Sequence, residues 1–191
     1  MSIGYSVEGA TDRGLLEGLR RRWCPDATLI EGSFRGTSRI SLRRDIPRIC
    51  RELDHRGASV IVFLTDANEQ DWRQVKQRES EFVPMEFRHI MLYGVADRNI
   101  ECWLRADRDY LAQQLNMSPE ALNVPDPKSA IEQALGITGY DRKEEEIASI
   151  VRDAPLRNWL RWSPSFETFY EDARTLSRQQ GCLIPNERER E

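Results

Sequence analysis

Val60-Ile61-Val62-Phe63-Leu64-Thr65-Asp66-Ala67-Asn68 decides how this chain is read. Five apolar residues run without interruption, and after Thr65 comes an acid. The run is short, rich in β-branched and aromatic side chains, and set off by Gly57. A continuous apolar run of this kind fits a strand covered on both faces, as in a parallel sheet. Ala58 to Thr65 is therefore expected as a strand. Asp66 then falls at its carboxyl end, where open α/β sheets place their working residues.

The same arrangement stands at the start of the chain, in Ile3-Gly4-Tyr5-Ser6-Val7-Glu8-Gly9-Ala10-Thr11-Asp12. Residues 2–7 read as a buried strand ending in Glu8. Thr11 to Trp23 reads as a helix that Thr11 can cap, with Leu15, Leu16 and Leu19 on one face. Outward from these two stretches, strand and helix alternate. Ala27 to Glu31 is a weaker strand, and Gly32 to Arg39 a polar loop. Leu42 to His55 is a helix in which Pro47 forces a kink or restart. Asp71 to Phe82 reads as an exposed helix, Arg88 to Val95 as a strand and Asn99 to Leu115 as a helix. This alternation predicts an α/β fold with a mostly parallel sheet flanked by helices.

Beyond residue 116 the strand signal fades. Ser118-Pro119, Asp126-Pro127 and Ser163-Pro164 each pair a capping residue with a proline suited to the first helical position. Asp141 to Glu144 resembles a capping box ahead of Ile147, Ile150 and Val151. The last helix turns Phe166, Phe169, Tyr170, Ala173 and Leu176 inward. The expected layout is an α/β domain over 1–116, a helical extension packed on it over 117–185, and a flexible charged tail over 186–191.

Charged residues make up 31% of the 191 positions, net charge is −4 and mean hydropathy is −0.64. No apolar run reaches the roughly 20 residues needed to span a bilayer, and no signal segment is evident. Cys24, Cys50, Cys102 and Cys182 are widely spaced with no C-x-x-C pair, so a reduced, cytoplasmic chain is expected. Between Arg13 and Arg56 eleven Arg face six acids. Arg favours bidentate phosphate contacts, so a basic face beside an acidic pocket is one reading; solvated helix faces are the other. No Walker loop, dinucleotide fingerprint or nucleophile elbow is present. Trp103, Trp159 and Trp162 lie at helical spacing with leucines and read as packing residues.

Acids at several strand ends point to a hard divalent cation, which takes oxygen ligands and needs few carboxylates besides water. The candidate ligands are Glu8, Asp12, Asp66, Asn68, Asp71, Glu101 and Asp107. Each has a structural alternative: Asp12 favours a helix dipole, Asp66 begins a turn, and Glu101 pairs with Arg105 one helical turn on.

Glu8-Gly9-x-Thr11-Asp12 after a first strand and Asp66-x-Asn68 after a later one resemble the Toprim domain of topoisomerases, bacterial primases and overcoming-lysogenisation-defect nucleases. Val95 to Asp107, together with Ala154-Pro155-Leu156-Arg157-Asn158-Trp159-Leu160 and Ser163 to Phe166, looks closer to a small prokaryotic Toprim-like family of unassigned function. The resemblance implies a Mg²⁺- or Mn²⁺-binding acid cluster that cleaves or joins nucleic-acid phosphodiesters, with DNA preferred to RNA as partner. It assigns metal ligation and catalysis to Glu8 and Asp66 and later ligation to Glu101; in the nuclease reading Asp12 and Asn68 assist as ligands, and Arg35, Arg39, Arg43 and Arg44 track phosphates. Asn68 departs from the Asp-x-Asp pair of that domain. The implied activity is a metal-dependent nuclease, acting with a separate ATPase in a phage-defence or mobile-element setting. Two alternatives stand: a catalytically weak module that binds a protein or nucleic acid, and an enzyme of small phosphoesters.

Overall fold

The computed structural model describes residues 1–33, 39–136 and 140–189; the side chains of 39–42, 140 and 141 also fall outside the description. The chain is α/β. Four parallel strands, β1 (Ser2–Ser6), β2 (Thr28–Glu31), β3 (Val60–Asp66) and β4 (Met91–Ala96), lie in the order β2-β1-β3-β4. Ile3 pairs with Leu29 on one side and Val60 on the other, and Phe63 pairs with Tyr93. The apolar run of β3 is buried from Val60 to Thr65 because it lies inside the sheet with helices on both faces.

Side-chain alternation sorts the core into two layers. Ile3, Tyr5, Val62 and Leu92 point to a layer with Leu15, Leu16 and Leu19 of α1 (Ala10–Trp23). Ile61, Phe63 and Tyr93 point to the other, with Ile46, Ile49 and Leu53 of α2 (Arg39–His55) and Val75 of α3 (Trp72–Ser80). The chain moves from β1 to β2 over one face and from β2 across to β3 over the other. This placement follows from right-handed crossovers in opposite directions along the sheet.

The helix expected over Asn99 to Leu115 is two helices, α4 (Ile100–Leu104) and α5 (Arg108–Gln114). Asp107 breaks the run: its side chain accepts from the backbone N–H of Tyr110 at 3.1 Å and caps α5. The expected strand from Arg88 begins only at Met91, after a 3₁₀ turn over Met85–Ile90. Next come a 3₁₀ turn (Pro119–Leu122) and four helices: α6 (Lys128–Leu135), α7 (Tyr140–Asp153), α8 (Leu156–Trp162) and α9 (Pro164–Gln179). Ser163 caps α9, accepting from Phe166 N–H, with Pro164 in its first turn.

The C-terminal helices share the first core layer. Trp103, Trp159, Phe166 and Tyr170 are fully buried there, and the rings of Trp103 and Trp159 meet Phe166 edge to face. Helices α1 and α7 approach so closely that side chains are excluded along α1. A Cβ on Gly14 would lie 2.6 Å from the Glu144 carbonyl oxygen, and one on Gly18 would lie 2.6 Å from both Ala148 O and Val151 Cβ.

Two expectations are corrected at the C-terminus. Cys24 and Cys182 are disulfide-bonded across 158 residues, a pairing that sequence spacing cannot reveal; Cys50 and Cys102 are free. The tail is not frayed at Glu187. That side chain is fully buried, accepts two bonds from the Arg22 guanidinium at 2.7 Å each, and accepts another from Trp23 Nε1 at 3.0 Å. A charged residue is buried here because a cation and an indole N–H satisfy it. Residues 190 and 191 lie outside the described residues. Among the described residues, no helix is long and apolar enough to cross a membrane.

Candidate metal and phosphate site

The strand order creates a crevice. β1 and β3 are neighbours, yet the helix after β1 covers one face and the helix leading into β3 covers the other. Connections therefore diverge at the carboxyl ends of β1 and β3, the place where α/β sheets bind ligands. Glu8 follows β1 and is exposed. Asp12 lies in the first turn of α1 and is only 8% exposed. Thr11 does not cap this helix: Gly9 occupies that position, and Asp12 Oδ2 accepts from the Gly9 N–H at 3.0 Å. Asp66 is the last residue of β3. Its Oδ1 accepts from the Ile100 N–H at 3.0 Å, which ties the strand end to the start of α4. The next residue, Glu101, is 3% exposed. Arg105 does not neutralise it; that guanidinium donates to the carbonyl of Val124.

These four carboxylates act on one another. Burial raises the Asp12 pKa to about 8, with the charges of Asp66, Glu101 and Glu8 adding to the shift. Burial also raises Asp66 to about 7, helped by Glu101 and Glu8 and opposed by the Ile100 N–H and Lys128. In the bare chain Asp12 is thus largely protonated at neutral pH. Lys128, the first residue of α6, belongs to the same electrostatic unit. Burial works against its charge, but Glu101, Asp66, Glu132 and Asp12 together raise its pKa. Lys128 was not among the sequence candidates. Its one signal is position, directly after Asp126-Pro127 at a helix start, in a chain with only three lysines.

Beside the crevice, the loops after β3 and β4 hold strained backbone. Asn68 and Arg98 adopt left-handed conformations, with φ of 55° and 72°, and the Asn68 N–H donates to the Arg98 carbonyl at 2.7 Å. Such strain costs about 1–3 kcal/mol per residue and collects at functional sites. Asn68, Glu69, Gln70, Arg98, Asn99 and Asp126 line an open cleft of about 540 Å³. Asp126 accepts from Lys128 N–H and Asn99 Nδ2, and both bonds hold its carboxyl below the usual range.

The remaining candidates separate. Asp71 caps α3, accepting from Arg73 and Gln74 N–H. Asp107 caps α5 and accepts from Asn158 Nδ2 at 2.6 Å. Arg43 forms a forked ion pair with the fully buried Glu79, Nη2 lying 2.6 Å from Oε1. Arg44 is exposed on the same helix. Arg35 lies outside the described residues, as does the side chain of Arg39.

All the donors in the crevice are hard oxygens, which suits Mg²⁺ or Mn²⁺. Among the described residues no three His, Cys, Asp or Glu side chains are grouped to hold one ion at once. Mg²⁺ does not need such a cage, since one or two carboxylates with water and substrate phosphate suffice. The donor chemistry therefore fits this ion class. Comparison with family models, with curated proteins and with solved structures gave no match.

Proposed function

We propose that this chain is a Mg²⁺- or Mn²⁺-dependent phosphodiesterase of nucleic acids, with its centre in the crevice between β1 and β3. The observation that supports it most is the set of Glu8, Asp12, Asp66 and Glu101. Asp12 and Asp66 lie at the switch point with pKa values raised to about 8 and 7 by burial and by the charges of Glu101 and Glu8, a cost that Lys128 offsets only in part. The fold, with acids after β1 and at the end of β3, is also what a Toprim-like chain needs. A bound divalent ion would supply charge neutralisation for an attacking and a leaving oxygen.

In this reading Asp66 is a ligand held rigid by the Ile100 N–H, and Glu101 and Asp12 complete the negative wall. Glu8, exposed after β1, is the acid of the set most open to solvent and substrate. Lys128 offsets charge in the bare crevice and faces a substrate phosphate when one enters. Asn68 offers a neutral oxygen at the edge of the adjoining cleft. DNA is the preferred substrate and a separate ATPase the proposed partner.

The test compares wild type with Asp66→Ala on single- and double-stranded DNA and on RNA, with Mn²⁺ and with chelator. Metal-dependent cleavage that Asp66→Ala loses is the expected result. Cleavage surviving both the substitution and the chelator would overturn the mechanism. A second reading, a catalytically weak module that binds a partner, is favoured by Asn68 and by the lack of a three-ligand cluster among the described residues. It predicts no cleavage by either protein with Mn²⁺.

A further inference from the structure

Trp162 does not pack in the core as its spacing implies. Trp103 and Trp159 are fully buried, but Trp162 is 63% exposed at the end of α8. It lines an open cleft of about 540 Å³ with Arg105, Arg108, Asn123 and Asn158. The Arg161 guanidinium sits 4.6 Å from the indole centroid. Three arginines therefore bear on this surface: Arg105 and Arg108 line the cleft, and Arg161 lies over the indole.

We propose that this cleft docks single-stranded nucleic acid, with Trp162 as the platform on which a base stacks. The inference rests on the reading that the chain acts on nucleic acid. Bases of any identity offer a π-face, and an exposed indole beside arginines is the combination that binds unpaired strands without regard to sequence. A 63% exposed ring with a cation near it keeps area for a second planar group.

The charge balance agrees. Arg105, Arg108 and Arg161 stand against two acids, Asp107 and Asp109. Asp107 is already satisfied by Tyr110 N–H and Asn158 Nδ2. Asp109 makes only an exposed pair with Arg108 at 3.5 Å, which a phosphate can replace at little cost. The cleft begins close to the crevice: Arg105 follows α4, and its N–H donates to the Glu101 carbonyl. Arg105, at one edge of the cleft, thus stands one helical turn from Glu101 of the proposed centre.

The experiment is fluorescence anisotropy with a labelled oligo-dT in chelator at low salt, using wild type, Trp162→Ala and Trp162→Phe. Trp162→Ala should bind at least about ten-fold more weakly, the loss of one base–aromatic stack. Trp162→Phe should keep most of the affinity, which separates stacking from misfolding. Arg108→Ala with Arg161→Ala should flatten the dependence of log affinity on log salt by about 1.4. Equal binding by wild type and Trp162→Ala would overturn the proposal and leave the patch to a protein partner. So would a wild type that does not bind oligo-dT. Chelator keeps this test separate from cleavage: binding through Trp162 without any cutting in Mn²⁺ would sink the nuclease reading and keep this site.

Discussion

Replacing Asp12 by Asn should stabilise the metal-free protein at high pH and do little at low pH. The Asp12 carboxyl is raised from 3.8 to about 8 in the fold. A raised carboxyl costs the folded state nothing below its unfolded pKa. The cost grows as pH climbs and is complete above the folded pKa. With about 1.4 kcal/mol per unit, some four units set a ceiling of about 6 kcal/mol. Asp66 shares the repulsion, and a fold that relaxes around one ionised group recovers part of it. A gain of about 2–4 kcal/mol for Asp12→Asn at pH 9 is therefore expected. At pH 4 the difference should be under about 1 kcal/mol, because Asn Oδ1 can still accept from the Gly9 N–H. Urea denaturation in chelator at the two pH values measures both numbers. A gain equal at pH 4 and pH 9, or none at pH 9, would refute the argument that burial and neighbouring charge strain this carboxylate. Mn²⁺ adds a second arm. At one hundred times its dissociation constant it should stabilise wild type at pH 9 by about 2.7 kcal/mol, and Asp12→Asn by less.

Lys128→Met should raise the Asp66 pKa further, since Lys128 now lowers it; carboxyl NMR titration that finds Asp66 unmoved would remove Lys128 from the site. Gly18→Ala should lower stability by about 1–3 kcal/mol through overpacking, because its methyl would meet a backbone oxygen and a β-branched side chain at 2.6 Å. An unchanged melting temperature would mean that α1 and α7 are not in such close contact. Cys182→Ser should cost about 2–4 kcal/mol by opening a long covalent loop, and wild type in reductant should match it; insensitivity to both would show that Cys24 and Cys182 are not paired.

The sheet was readable because its signals are local. An apolar run of the β3 kind has few other homes, and an acid placed immediately after it must lie at the strand end. Glu8 and Asp66 were found in this way. What escaped depends on distant partners. Lys128 matters only because α6 brings it to the acids; its place after Asp126-Pro127 marks a helix start but not what that start faces. Glu187 sits among charged residues, so composition assigns it to solvent, whereas Arg22, 165 positions away, makes its burial tolerable. Trp162 and Trp159 share nearly one face of α8, yet Trp162 is the last residue of that helix and projects beyond the packing that buries Trp159. The break at Asp107 is the opposite case: a capping residue was in plain sight, but the apolar pattern continued through it.

The close contact of α1 with α7 bears on the order in which the protein takes shape during synthesis. The face of α1 that carries Gly14 and Gly18 offers almost no side chain, so its burial depends on Ile147 and Val151 arriving from the far end of the chain. Roughly 120 residues separate the end of α1 from the start of α7. At about 5–20 residues per second that is on the order of ten seconds of translation. Through that interval Leu15, Leu16 and Leu19 can already pack on the sheet, but the glycine face of α1 has no cover. That strip of backbone is closed only when α7 emerges.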